Sequence, residues 1–465
     1  MARIYLSATR KSAGKTVISI GLCAALRARG LSVQPFKKGP DYIDAMWLSA
    51  AAGHACYNLD FNTMSDREIG ATFARSEDTD IAIIEGTKGL HDGVALDGSD
   101  SNAALANRLD TPVLLIVDCQ GMTRGIAALL QGMQSFDPCV RIVGVILNQT
   151  AGIRHAAKLN AAVKEYTDVP VLGTLPRTPA IEIRERHLGL IPVNETDEVE
   201  QHINSIREAV EDTLNIDAIY DAACRVDPLP DMRSAVRIQT RSSRVKLGVL
   251  RDRAFGFYYP DDLENLALAG ADLVFIDALT QSRLPPIDGL FIGGGFPETQ
   301  LDKLHNNSSL RGKIKRLVDT GLPVYAECGG LMYLARSLSW RGKVAEMVGA
   351  LPLDCVMLGR PQGRGYVKLQ TTGRSPWSVL QGAAESFNAH EFHYSVVENI
   401  GTGVEYAYRV LRGHGIDGAH DGIVCGNTLA SYAHLRHTEQ SPWITGFVKF
   451  VAGQRERLAR KPAHG

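Results

Sequence analysis

The chain has 465 residues, 45% of them hydrophobic and 22% charged, with 50 basic side chains against 51 acidic ones. That length exceeds an ordinary single domain and predicts two, each able to bury a core of its own. The near-cancelled charge excludes a global positive field for nucleic acid or an anionic membrane, and no apolar run reaches the roughly 18 residues a spanning helix needs.

The opening MARIYLSATR lacks the charged and apolar regions of a signal peptide. Eight cysteines are scattered without a CxxC pair or zinc spacing, so a reducing cytoplasm is expected. Short apolar runs from Ile4 to Ser7, Val33 to Phe36, Ile81 to Ile84, Val113 to Val117 and Ile142 to Leu147 read as buried strands. Between the first two, Val17 to Arg29 has helical spacing and stops at Gly30. Strand and helix in alternation predict a parallel sheet covered on both faces. From Pro228 to Arg244 the pattern lapses into a polar stretch without a period, the best linker candidate. A second alternating series follows, with strands from Val245 to Leu250, Leu273 to Ile276, Gly289 to Ile292 and Pro323 to Glu327. The expected organisation is an N-terminal domain over 1–228, a linker over 229–243, a second domain over 244–452 and a solvated basic tail over 453–465. That tail carries Arg455, Arg457, Arg460 and Lys461.

The first strand runs into Thr9-Arg-Lys-Ser-Ala-Gly14-Lys15-Thr16 and then a helix. A phosphate-binding loop needs glycine so that backbone N–H groups can face the anion. It also needs a lysine for the β/γ oxygens and a hydroxyl for Mg²⁺, at a helix N-terminus. Gly14, Lys15 and Thr16 fit, although Thr9 stands where the first glycine is usual. The second and third strands end in Lys37-Lys38-Gly39-Pro40-Asp41-Tyr42-Ile43-Asp44 and Glu85-Gly-Thr-Lys-Gly-Leu-His-Asp92. Open α/β sheets bind ligands beyond strand C-termini, where such carboxylates can hold the metal that bridges phosphates. Either cluster alone could be a solvated turn; together, beside the loop, they point to one site. Asn148, closing another strand, is a candidate reader of the adenine edge as well as an ordinary turn residue.

In the second domain, Pro323-Val-Tyr-Ala-Glu-Cys328-Gly329-Gly330 sets a cysteine between a buried strand and a helix. Small neighbours permit a tight turn, and a helix N-terminus is expected to lower the thiol pKa. The glycines of Phe291-Ile-Gly293-Gly294-Gly295-Phe-Pro-Glu298 offer N–H groups for an oxyanion hole, so Gly294 and Gly295, with Gly329, are its candidates. His434, in Ala430-Ser-Tyr-Ala-His434-Leu, is the preferred base; His390 and His393 of the HEFHYS run are the contenders among thirteen histidines.

The chain resembles the cobyrinic acid a,c-diamide synthase family along essentially its whole length. The phosphate loop, KKGPDYID, the EG…GLHDG turn, RDRAFGFYYP from Arg251 to Pro260, GGGFPE, AECGGLMYL, HEFHYS and ASYAHL occur in the family's order. The resemblance implies an α/β chain with a dethiobiotin-synthetase-like P-loop domain followed by a class I-type glutamine amidotransferase domain. It assigns Cys328 and His434 to glutamine hydrolysis and Lys15 and Thr16 to ATP, where Gly14 and Asn148 are candidates from the residues themselves. Thr16, Asp44 and Glu85 fall to Mg²⁺, and Asp41 and Asp92 to acyl transfer. Tyr42 and Ile43 match positions that place the substrate carboxylate.

The implied reaction amidates acetate carboxylates of a tetrapyrrole through an acyl phosphate, with glutamine and ATP as co-substrates. No nucleic acid or membrane partner is expected, and a homodimer is a candidate assembly. Two departures stand out. Many class I glutaminases carry His-x-Glu, whereas Arg436 occupies the Glu place here, and no third triad member is named. The segments from Leu96 to Ala106 and Gly121 to Ile126 look most like the sirohaem-amidating branch associated with dissimilatory sulfite reductase, leaving cobyrinate and a sirohaem-type ring both open. A nucleotide-dependent regulator resembling P-loop partitioning proteins is the rival from another class, and intact Cys328 and His434 argue against it. A dethiobiotin synthase lacks a glutaminase domain, and a cobyric acid synthase amidates other side chains of the ring.

Overall fold

Every residue from Ala2 to Ala8 is buried, as a strand covered on both faces demands. In the computed structural model, which describes residues 1–183, 185–186, 189–228, 244–380 and 385–460, the chain divides into two compact units, Met1–Ala235 and Val236–Gly465. The predicted linker, 229–243, lies outside the described residues.

Unit 1 is built on strands β1 (Ala2–Ala8), β2 (Val33–Lys38), β3 (Tyr57–Leu59), β4 (Ile81–Glu85), β5 (Val113–Asp118), β6 (Ile142–Thr150) and β7 (Val171–Pro176). They form one sheet in the order β3-β2-β4-β1-β5-β6-β7, with parallel pairing throughout. The order places β1 between β4 and β5, so the chain leaves it first towards one edge and later returns to build the other. Loops part on either side of such a switch point and leave a crevice at the strand C-termini. Helix α1 (Lys15–Ala28) follows β1, and α2 (Ile43–Ala52) follows β2. α1 is held close to the helix Val199–Thr213, where a Cβ on Gly21 would lie 2.4 Å from Val210 Cγ2. A short antiparallel pair, β8 (Glu185–Arg186) with β9 (Gly189–Leu190), follows in this unit.

Unit 2 begins with β10 (Val245–Leu250), β11 (Ala271–Ile276), β12 (Gly289–Ile292) and β13 (Val324–Glu327). A side sheet follows, made of β14 (Ser337–Trp340), β15 (Lys343–Glu346), β16 (Asp354–Met357) and β19 (Ser395–Glu398). The main sheet is completed by β17 (Gly363–Thr371), β18 (Ser386–His393), β20 (Glu405–Arg412), β21 (His420–Cys425) and β22 (Thr428–Ser431). Its order is β11-β10-β12-β13-β22-β21-β20-β17-β18. Pairing is parallel from β11 to β22 and antiparallel beyond it. Period-two alternation on β13 sends Val324 and Ala326 into one core and Tyr325 into the other. The second core also takes Trp443, Phe447 and Val451 from the helix Trp443–Arg460.

That helix runs on into the expected basic tail over 453–465, giving its first residues regular structure. Its buried apolar stripe ends at Val451, the helix continues to Arg460, and Arg455 Nη1 donates to the Arg244 carbonyl at 2.5 Å. Residues 461–465 lie outside the described residues. Among the described residues no helix is long and apolar enough to cross a membrane.

Candidate functional site

The loop after β1 is shaped by one glycine and one amide. Gly14 has φ 89 at the start of α1, and a Cβ there would sit 2.1 Å from Asn148 Nδ2. Only glycine meets both demands without strain. Asn148, on β6, donates its amide to the Ala13 carbonyl at 2.8 Å. Whatever else it contacts, it braces the phosphate loop. The exposed Arg10 guanidinium pairs with buried Asp118 at the end of β5, tying the loop to the next strand.

Around Thr16 the predicted carboxylates converge. Its hydroxyl donates to Glu85 Oε1 at 2.8 Å and lies 3.3 Å from Asp44 Oδ2. Asp41 Oδ1 accepts from the Asp44 N–H at 2.9 Å and so opens α2. Sequence reasoning missed the residue that joins these groups. Lys37, 2% exposed, donates from Nζ to Asp44 Oδ2 at 2.6 Å and to Glu85 Oε1 at 2.7 Å. A lysine closing a strand looks like a surface residue. Its only signal was the acidic residue in each of the flanking turns.

The charges settle accordingly. Burial, then Asp44, pushes the Asp41 carboxyl up to about 7. Burial also acts to raise Asp44, but Lys37 outweighs it and holds that carboxyl below its usual range. For Glu85 burial wins and the carboxyl is raised, while Lys37, despite burial, is driven well above an ordinary lysine by its two carboxylates. Lys15 Nζ donates to the Lys88 carbonyl at 2.5 Å. Burial, then the neighbouring Lys37, lowers it to about 8.

Asp92 accepts from the Gly89 N–H at 2.9 Å within the turn after β4. Asn102 shapes that turn, accepting from Tyr5 Oη at 2.9 Å and from the Thr87 N–H at 3.0 Å. Tyr42 and Ile43 are each 8% exposed, so most of their surface packs against the protein. The fit to a divalent cation can be judged from the donors. Thr16, Asp44 and Glu85 supply only hard oxygens, and among the described residues Glu85 Oε2 is buried with no hydrogen-bond partner. Such a set suits Mg²⁺ held jointly with phosphate oxygens.

In unit 2, β13 ends at Glu327 and the chain turns at Cys328, which has φ 45 and ψ −98. A positive φ on a residue with a Cβ is strained and persists only when the surroundings impose it. They do so closely. A Cβ on Gly330 would lie 2.3 Å from the Ile292 carbonyl, and one on Gly329 3.0 Å from both Gly295 N and O. The Cys328 N–H donates to Ser431 O at 2.7 Å, fixing the turn to β22. His434 follows β22, with Cε1 2.5 Å from where a Gly294 Cβ would be. The Gly294 carbonyl accepts from the Gly256 and Phe257 N–H groups, so the RDRAFGFYYP loop anchors the glycine turn. Cys328, His434, Gly294, Gly295 and Gly329 therefore gather beyond the C-terminal ends of the adjacent parallel strands β12, β13 and β22.

One expectation is corrected. The helix after Cys328 is six residues, Gly329–Leu334, and burial, with Glu298 next, pushes the thiol up instead of down. The Gly329 N–H acts in the expected direction but is outweighed. The rival histidine is also present. The His390 ring stacks on His434 at 4.9 Å and 15°, and burial, then His434, holds it well below an ordinary histidine. A neutral ring packed behind another is a wall, and His434 is the one beside the glycine turn. Arg436 turns away from the site: its guanidinium pairs with Asp261 at 2.6 Å and stacks over Tyr259.

Comparison with known proteins agrees with both halves. Residues 4–191 match the CobQ/CobB/MinD/ParA nucleotide binding domain, and residues 246–442 match the CobB/CobQ-like glutamine amidotransferase domain. The chain is 46% identical over 455 residues to a cobyrinate a,c-diamide synthase of Magnetococcus marinus, covering 96% of this chain and 97% of the relative. It is 40% identical over 488 residues to the protein of that description in Methanosarcina acetivorans, covering 99% and 97%. With the Archaeoglobus fulgidus protein of the same description the identity is 40% over 449 residues, covering 96% and 97%.

Proposed function

Since the chain belongs to the cobyrinate a,c-diamide synthase family, we propose that unit 2 releases ammonia from glutamine at Cys328 while unit 1 activates cobyrinate carboxylates with ATP. The enzyme is a glutamine-dependent, ATP-using amide-forming ligase. The observation that carries the residue assignment is the strained Cys328 turn, wedged between the Gly294–Gly295 turn and the strand that leads to His434.

The thiol is neutral because it is buried, so attack needs a base. His434 takes the Sγ proton as sulfur bonds to the glutamine amide carbon. N–H groups of Gly294, Gly295 and Gly329 hold the oxyanion. His434 then returns the proton to the departing nitrogen, ammonia leaves, and water hydrolyses the thioester to glutamate.

In unit 1 the substrate carboxylate oxygen attacks the γ-phosphorus, the β–γ bridge breaks, and ADP leaves an acyl phosphate. A carboxylate repels nucleophiles, and this exchange is what makes it electrophilic. Lys15 shifts from the Lys88 carbonyl to the phosphate oxygens, Gly14 lets the backbone approach them, and Asn148 braces the loop beside the adenine side. Thr16, Asp44 and Glu85 would hold Mg²⁺, which when bound neutralises phosphate charge. Asp41 and Asp92 face the acyl-transfer region, and Tyr42 with Ile43 shapes the carboxylate's seat. Ammonia attacks the acyl carbon, phosphate departs, and a proton is lost. The chemistry belongs in the cytoplasm, where ATP and glutamine are at hand.

The experiment is incubation with ATP, glutamine and a panel of cobyrinate, hydrogenobyrinate and sirohaem, read by mass spectrometry. The expected product is cobyrinate with two carboxylates exchanged for amides, at the a and c acetates. Amidation of sirohaem alone would move the substrate to the sirohaem branch. Turnover of none, with ATP and glutamine present, would overturn the ligase reading.

A further inference from the structure

His434 lacks the acidic residue two places on that would ordinarily orient such a base, because Arg436 stands there and is held by Asp261. The structure nonetheless puts a carboxylate on its ring. Glu327 Oε2 lies 3.3 Å from His434 Nδ1, and both side chains are 3% exposed. The other carboxylate oxygen is fixed twice, accepting from Tyr325 Oη at 2.5 Å and from the Leu435 N–H at 2.9 Å. A single side chain therefore touches the ring of His434 and the backbone of the next residue.

We infer that Glu327 is the positioning residue of the glutaminase, fixing His434 with Nδ1 protonated so that Nε2 faces the thiol and the glycine turn. The inference rests on the reading of Cys328 and His434 given above.

The sequence explains why this partner is available. Tyr325 and Glu327 point to the same face of β13 under period-two alternation, and the next peptide bond leads to Cys328. One strand end thus delivers both the nucleophile and the group that orients its base. Parallel pairing of β13 with β22, which sets Glu327 opposite Ser431, brings His434 within reach three residues later.

Charged and titratable groups reach this site from several elements, among them Asp421, which accepts from the Tyr432 and Ala433 N–H groups, Asp262, which accepts from the His437 N–H, and Glu298 near the thiol. Glu327 comes from β13, His390 stacks on the ring from β18, Cys328 follows β13, and Arg436 is engaged with Asp261. Glu327 Oε2 is the carboxylate oxygen placed 3.3 Å from the imidazole Nδ1. It does for the imidazolium formed during thiol attack what the third member of a triad does: it fixes the tautomer and balances the charge as it develops.

The test uses the full chain with Glu327→Gln and Glu327→Asp, measuring glutaminase kcat and KM from pH 5.5 to 9. Ammonia-driven synthesis serves as the control for folding and for unit 1. Glu327→Gln is expected to lower glutaminase kcat by about 10²-fold or more, with KM within about threefold and ammonia-driven synthesis retained. The acid limb of its kcat/KM profile should move to lower pH, since loss of the negative charge disfavours the protonated ring. A purely structural role would lower activity without moving that limb. Glu327→Asp keeps the charge at a greater distance, so its limb should stay in place while kcat falls about tenfold. Glutaminase within about threefold of wild type in Glu327→Gln, or an unmoved acid limb, would overturn the inference. If the Gln variant does not fold, Glu327→Asp with wild-type kcat would do the same. Absence of glutaminase in the wild type would instead sink the underlying reading, so the two failures are distinguishable.

Discussion

Replacing Lys37 by methionine keeps the volume of the side chain and removes its charge. The ammonium is 2% exposed and bridges Asp44 at 2.6 Å and Glu85 at 2.7 Å, carboxylates that are 17% and 0% exposed. At an effective dielectric of about 20 each contact corresponds to roughly 6 kcal/mol of attraction, a gross figure set against desolvation of all three groups. The measurable loss is smaller because the abandoned carboxylates can take up protons. Removing one partner of a buried ion pair typically costs about 3–5 kcal/mol, which for a domain of this size shifts Tm by on the order of 10 °C.

The sign with pH follows from the same groups. Lys37 sits well above the usual lysine value, so in the wild type its charge is constant from pH 5 to 8. In Lys37→Met both carboxylates lose the cation that opposes burial, and their folded pKa values rise. A group raised on folding contributes stability below its unfolded value and loses it as pH climbs through the folded one. The deficit against wild type should therefore be small at pH 5 and grow towards pH 8. Differential scanning calorimetry of the full chain, with nucleotide added to mark the unit 1 transition, measures it. Adding Glu85→Gln to Lys37→Met should recover more than half of the pH 8 loss. A deficit below about 1 kcal/mol, or one that does not change with pH, would refute this account of the cluster.

Two further predictions concern unit 1. Lys15, lowered to about 8 by burial and Lys37, must be charged to meet phosphate, so nucleotide binding should take up a proton above pH 8. Affinity should then fall up to about tenfold per pH unit. Calorimetry in buffers of different ionisation enthalpy tests this, and equal affinity at pH 7 and 9 would count against it. Lys15→Ala should lose the slope and both syntheses while keeping glutaminase turnover. Tyr42→Ala and Ile43→Ala should alter which acetate reacts or how many do, mapped by NMR of the product. A uniform loss of rate with unchanged product ratios would show that these buried side chains only pack the loop.

The parts of this molecule visible in the sequence are those whose cause is local. Gly14 announces a left-handed turn, the apolar runs announce covered strands, and small residues on one side of Cys328 announce a tight elbow. What stayed hidden depends on partners distant in the chain. Lys37 acquires its meaning from Glu85, 48 residues away, and Glu327 from Leu435, 108 residues away. The side sheet was missed because its strands are four residues each with mixed burial, too short for a period to show. The extent of the terminal helix stayed hidden because its apolar spacing ends at Val451, while its backbone stays helical through a basic, polar segment to Arg460. The thiol was misjudged because a helix N-terminus can be read from sequence, whereas the burial that outweighs it cannot.

In the proposed reaction one chain divides its labour between a glutamine-hydrolysing unit and a carboxylate-activating unit. Its most direct test is the origin of the amide nitrogen in the product, followed by mass spectrometry with [amide-¹⁵N]glutamine or ¹⁵N-ammonium in wild type and Cys328→Ala. The wild type should take its label from glutamine. Cys328→Ala should incorporate none from glutamine yet still incorporate ¹⁵N from concentrated ammonium at an ATP-dependent rate. Glutamine-derived label in the variant, or loss of the ammonium reaction while the protein remains folded, would contradict the account.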